Sequence, residues 1–106
     1  MSADQALKAA FIFIAPEGDP AEHRSWVKTP HVELLAIAVK DYAEAARVSK
    51  DLVASGIKAI ELCGGFGNIG TAKVVEAVEG RIPVGVVRFD LHPGLGFKSG
   101  DQMFSM

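Results

Sequence analysis

Glycines 65, 67 and 70 stand in the run Gly65-Phe66-Gly67-Asn68-Ile69-Gly70, which has the G-x-G-x-x-G spacing. Residues without a Cβ let backbone N–H groups approach an anion, and a helix starting just after such a loop adds positive potential. Asp90 follows Gly70 by twenty residues, the separation at which an acid holds a ribose hydroxyl in dinucleotide-binding units. Three readings are open: a small-anion site, a nucleotide or dinucleotide site, and a tight turn whose glycines permit close packing. The dinucleotide reading is the weaker alternative, because the motif falls at the third of four expected strands and leaves a single further strand.

Other reactive side chains flank this run. Glu61 interrupts an apolar stretch. Apolar neighbours would desolvate its carboxylate and suit it to acid or base work, and an ion pair with Arg88 is the competing structural reading. Cys63 precedes the glycines near a helix start, where a thiol becomes nucleophilic and His92 or His23 can serve as its base. A small buried hydrophobe is the plainer account of the same cysteine. His23-Arg24 and the trio Arg88, Asp90 and His92 suit capture of a carboxylate or phosphate, with arginine gripping it bidentately. The catalytic candidates are therefore Glu61, Cys63 and His92. The ligand-binding candidates are His23, Arg24, Gly64, Gly65, Gly67, Asn68 and Arg88. A metal site drawn from His23, His92, Cys63 and Glu61 has no ligand pair at recognisable spacing, so neither a metal nor another cofactor is expected. His31, at the far end of a strand, reads as structural, and Trp26 and Tyr42 read as packing helices onto the sheet. Lys98–Asp101 reads as a solvated turn, or as a segment closing over a ligand.

These residues must be positioned by an alternation of strands and helices. Lys8–Ala15, Val32–Val39 and Ile57–Cys63 are nearly continuous apolar runs rich in β-branched residues, and Ile82–Arg88 is a fourth. Asp19-Pro20-Ala21-Glu22 carries an N-cap, a first-turn proline and a capping-box glutamate, which predicts a short helix over Pro20–Val27. Asp41 and Glu44 open an amphipathic helix that Gly56 ends. A third helix runs from about Asn68 or Thr71 to Glu79, before Gly80. The expectation is a single small α/β domain over residues 1–106, with a four-stranded, largely parallel sheet in β-α-β-α-β-α-β order. Residues 1–7 form a tail. Residues 90–106 form an apolar C-terminal arm carrying Leu91, Leu95, Phe97, Met103, Phe104 and Met106. Two strand orders fit. In the flavodoxin-like 2-1-3-4 order, a ligand crevice lies at the carboxyl edge between the Pro16–Asp19 turn and the Gly64–Gly70 loop. In a half-barrel-like 1-2-3-4 order, all helices share one face and the other apolar face needs a partner or the tail.

Composition narrows the class. The 106 residues are 49% hydrophobic and 23% charged, which excludes intrinsic disorder. A net charge of −2 gives no basic footprint for nucleic acid. The single cysteine makes no internal disulfide, no basic region precedes the first apolar run, and no run reaches membrane-spanning length, so a cytoplasmic protein is expected.

Glu61-Leu-Cys-Gly-Gly-Phe-Gly67, with Pro83-Val-Gly-Val-Val-Arg88, His92-Pro93, the Ala15-Pro16 turn and His23-Arg24, resembles a family of small microbial α/β proteins known only as a domain of unknown function. The resemblance runs from about Ala10 to Phe104. It implies no activity, and hence no catalytic roles. At the level of fold alone, the third strand and its loop also resemble phosphate-handling (β/α) barrel repeats. The leading functional expectation is a small anionic metabolite bound at the carboxyl edge around Gly64–Gly70, with or without catalysis. The alternative is a non-catalytic, self-associating module, dimeric or larger, because short helices barely cover the sheet and the arm is apolar. A redox or thiol role for Cys63 is a third reading.

Overall fold

The computed structural model describes residues 6–105. Of the expected tail at 1–7, residues 1–5 lie outside the described residues, and Leu7 already belongs to a strand. The elements are β1 (Leu7–Ile14), β2 (Arg24–Lys28), β3 (Val32–Val39), α1 (Tyr42–Ala54), β4 (Ala59–Leu62), α2 (Asn68–Val78), β5 (Val84–Val86) and α3 (Gly100–Phe104), with a 3-10 turn at Pro93–Leu95. Together they make a small α/β domain with a mixed five-stranded sheet, ordered β2-β3-β1-β4-β5. β3, β1, β4 and β5 are parallel, and β2 joins β3 antiparallel at the edge.

The helix expected at Pro20–Val27 does not form. Its capping residues close a turn instead: Asp19 Oδ1 accepts from the Ala21 N–H at 2.9 Å, and His23 Nδ1 accepts from the Asp19 N–H at 2.9 Å. Such local bonds stabilise turns as readily as helix starts. From Arg24 the chain is extended, and Trp26 and Val27, both strand formers, lie against the vacant edge of β3. Trp26 thus sits on an edge strand, 42% exposed, rather than under a helix.

This one substitution of strand for helix also corrects the expected architecture. The four parallel strands stand in the 2-1-3-4 relation, but the sheet has five strands and helices on one face only. Right-handed crossovers from β3 to β4 and from β4 to β5 run the same way across the sheet and so place α1 and α2 together. On that face Ile12, Leu35, Ile37, Val39, Ile60 and Leu62 meet Tyr42, Ala45, Val48, Leu52, Val74 and Val78, all buried. α1 follows its expected caps: Asp41 accepts from the Glu44 N–H at 2.8 Å, Glu44 accepts from the Lys40 N–H, and Gly56 takes the left-handed φ of 99°.

Alternation puts the other residues of each strand on the opposite face. Register aligns Ser25, Ala36, Phe11, Glu61 and Gly85 in one row, with Val27, Leu34, Ala9 and Ala59 in the next. No helix among the described residues covers this side.

The expected strand at Ile82–Arg88 shortens to Val84–Val86. The arm is more ordered than its composition suggested. Ser99 caps α3 in a capping box with Gln102, and the Phe104 ring packs 5.9 Å from that of Tyr42. Leu91 and Phe97 stay exposed, at 63% and 65%.

Candidate functional site at the carboxyl edge

Four parallel strands end at one edge, and antiparallel β2 begins there. The Ala15–His23 turn, the Cys63–Gly67 loop and the Val87–His92 segment therefore gather together, as a sheet reversing its winding requires. At their centre is Tyr42, the first residue of α1. It is fully buried, with its ring stacked on Phe66 at 5.5 Å. Its hydroxyl accepts from the Gly67 N–H at 3.0 Å and donates to Asp101 Oδ1 at 2.9 Å.

Asp101 reaches back from α3 to cap α2. Its Oδ2 accepts from the Ile69 N–H at 3.0 Å, and its Oδ1 accepts from the Gly70 N–H at 3.1 Å. The natural N-cap, Gly67, has no side chain to do this. Burial works against the charge on Asp101, but the Ile69 and Gly70 N–H groups, the Tyr42 hydroxyl and the nearby Arg88 cation outweigh it and hold the carboxyl below its ordinary range. Tyr42 moves the other way. Burial raises its pKa most and the neighbouring carboxylate adds to the rise, against a smaller lowering from the Gly67 N–H.

The loop glycines fit this arrangement closely. A Cβ on Gly67 would overlap the Asp101 carboxyl, one on Gly70 the Tyr42 ring, and one on Gly64 the Phe89 ring. A Cβ on Gly100 would run into the Gly65 carbonyl oxygen. Within the G-x-G-x-x-G run, Gly67 makes room for Asp101 of the arm and Gly70 for Tyr42 of α1, contacts of the kind the packing reading expects.

The remaining candidates divide among three places. Arg88 does not pair with Glu61. Its Nε donates to Asn68 Oδ1 at 2.9 Å and its guanidinium pairs with Asp90, beside the α2 start. His92 stays close to this cluster, with its ring 4.8 Å from that of Phe89 and its Nδ1 accepting from the Gly94 N–H. Cys63 is half-buried, and its sulfur accepts from the Gly65 N–H at 3.3 Å and the Ile14 N–H at 3.5 Å. His23 and Arg24 lie at the β2 end, where Arg24 Nε donates to the Pro20 carbonyl. His23 lines a cleft of about 290 Å³ with Phe13, Pro16, Gly18 and Ala38. Glu61 is exposed on the helix-free face rather than desolvated, in a cleft of about 190 Å³ beside Phe11, Gly85 and Val87. Among the described residues, no group of three or more His, Cys, Asp or Glu could hold a metal ion, and no helix is long and apolar enough to cross a membrane.

A model of the family of unknown function DUF6506 matches residues 7–102. The chain belongs to that family. No curated protein and no solved structure matches it. The DUF6506 match spans every strand, both long helices and the Tyr42–Asp101 contact. Sequence reasoning missed Tyr42 and Asp101 as partners. The available signal was indirect: a helix whose N-cap is glycine needs its first N–H groups satisfied from elsewhere.

Proposed function

We propose that the DUF6506 domain is a self-associating module whose second copy docks on the helix-free sheet face. The observation that supports this is the composition of that face. Phe11, Phe13, Leu34, Ala36 and Ala59 are half-buried and Val27 is 60% exposed, with Glu61 as the one charged side chain in the two central rows. Largely parallel sheets ordinarily have both faces covered, and an apolar sheet face can pair with its own copy across a two-fold axis. The 28 strand residues, at about 3.3 Å each in strands about 4.8 Å apart, give a projected footprint of roughly 450 Å². Because a corrugated surface exceeds its projection, this is of the same order as the roughly 800 Å² per partner of a standard interface. A cytoplasmic setting accompanies this reading, since one cysteine makes no internal disulfide.

Sedimentation velocity tests it. The wild type is expected to sediment as a dimer, and Phe11→Lys with Leu34→Lys as a monomer with an unchanged circular dichroism spectrum. A wild type that stays monomeric at millimolar concentration refutes the proposal.

Asp101 favours a second reading. Its carboxylate occupies the free N–H groups at the α2 start, which supports the reading that a small anionic metabolite competes for that position when the arm swings out, with Gly65, Asn68 and Arg88 nearby. Thermal shift of Asp101→Ala with phosphate, acetate and pyruvate tests this. Saturable stabilisation that Arg88→Ala abolishes supports the reading, and no stabilisation by any of the three sinks it.

A further inference from the structure

We infer, resting on the face-to-face pairing proposed above, that Glu61 makes this association acid-sensitive, so that the pair tightens as pH falls and loosens as it rises. Glu61 stands in the middle row of the open face, between Phe11 on β1 and Gly85 on β5. Its row otherwise holds Ser25 and Ala36, and the row toward the strand starts holds Val27, Leu34, Ala9 and Ala59. Among the described residues, no Lys or Arg falls in its row or in the row toward the strand starts. Arg88, the partner expected from the sequence, is engaged with Asn68 and Asp90, and Lys58 falls at an alternate position of β4's path, on the helix side. The lysines and arginine of neighbouring strands, Lys8, Arg24 and Lys28, fall at alternate positions that face the helix side. The other titratable groups near this face are Cys63 at the end of β4, and Glu17 and His23 around the cleft beyond Phe13.

A second copy laid on this face by a two-fold axis brings the same groups and no new cation. Glu61 passes from water to an apolar contact without a counter-charge, and desolvation penalises the charged form alone. The carboxyl therefore takes up a proton more readily in the pair than in the free chain. The linkage sign follows directly. A group that binds its proton more tightly in the associated state strengthens association at low pH, and that gain is lost as pH rises. The open space at Gly85, where a side chain would have nothing within 4 Å, leaves the carboxyl without a shield of its own. The dissociation constant is expected to fall on the order of tenfold between about pH 7.5 and about pH 4.5. The Asp101 contact does not compete in this window, because that carboxyl is held below its ordinary range and stays charged.

Sedimentation equilibrium of the full chain across this pH range tests the idea, with wild type and Glu61→Gln side by side and circular dichroism as the check on folding. The expected result is a wild-type dissociation constant that falls with acid, and a Glu61→Gln constant that is low and flat throughout. Equal constants for the two proteins at every pH overturn the role of Glu61 and leave the pairing intact. An acid dependence that persists in Glu61→Gln also overturns it, since His23 or the arm is then responsible. If neither protein associates at any pH, the pairing itself fails and the acid sensitivity with it.

Discussion

Removing the Asp101 carboxylate is the most direct test of how the arm is held. In Asp101→Ala the N–H groups of Ile69 and Gly70 lose their acceptors and the Tyr42 hydroxyl loses its acceptor, all at the start of a helix capped by glycine. Loss of a side-chain N-cap costs about 0.5–2 kcal/mol, and a hydrogen bond to a charged group contributes about 1.5–3 kcal/mol. The bonds share one carboxylate and are not additive, so the expected loss is about 2–4 kcal/mol. Against a total of roughly 5–15 kcal/mol this is a large fraction, and it corresponds to a fall in Tm of roughly 10–25 °C. Urea unfolding at neutral pH, followed by circular dichroism, reads it. Tyr42→Phe separates the two halves of the contact. It removes the acceptor of the Gly67 N–H and a donor to Asp101, and is expected to cost about 1–3 kcal/mol. The double variant is expected to lose less than the sum by at least about 0.5 kcal/mol, as residues in one network do. If Asp101→Ala lies within about 0.5 kcal/mol of wild type, the arm is not latched through this carboxylate and the account of the glycine loop fails.

Three further outcomes follow from the same geometry. Because the folded-state pKa of Asp101 is depressed, its contribution is present above the ordinary carboxylate range and disappears as pH falls through the lowered native value, so the stability gap between wild type and Asp101→Asn should shrink on acidification. Gly100→Ala is expected to destabilise more than a typical surface change, because the new methyl meets the backbone oxygen of Gly65, which cannot rotate away; limited proteolysis after about residue 87 reports the released arm. Arg88→Ala should cost less than about 1 kcal/mol, since its pair with Asp90 is solvent-exposed and its effect on Asp101 acts through charge; a larger loss would mean that the Asn68 contact organises the α2 start.

Much of the domain was legible from local pattern. The long apolar strands β1 and β3, the shorter β4 that forms over Ala59–Leu62 within the expected Ile57–Cys63, α1 with its Asp41 and Glu44 caps, and the glycine-bounded α2 are each dictated by residues adjacent in sequence. What escaped was decided by contacts distant in sequence. Asp19-Pro20-Ala21-Glu22 satisfies the rules for a helix start equally well as a turn, and the choice falls to β3, whose free edge takes Trp26 and Val27 into the sheet. The glycine loop is open to two readings for a related reason. Glycines spaced to admit a phosphate are also spaced to admit a carboxylate of the same chain, and Asp101 lies some thirty residues beyond them. Glu61 and Arg88 share an expected strand pairing, yet β5 ends at Val86, and Arg88 has turned toward α2.

The surplus of apolar residues acquires a location through these same two departures. The sequence places it both in double-sided strands that short helices barely cover and in the apolar arm. Part of the arm docks on its own body, where Phe104 joins Tyr42 and Asp101 caps α2, while Leu91 and Phe97 stay exposed. Exchanging the first crossover helix for β2 meanwhile strips one side of the sheet of its cover, and Phe11, Phe13 and Leu34 are left there half-buried. Helix cover lost on one face cannot be replaced by an arm committed to the carboxyl edge. In the pairing proposed above, a second copy of the sheet would bury this face, and Glu61 is the one charged group of its two central rows that the contact would have to neutralise.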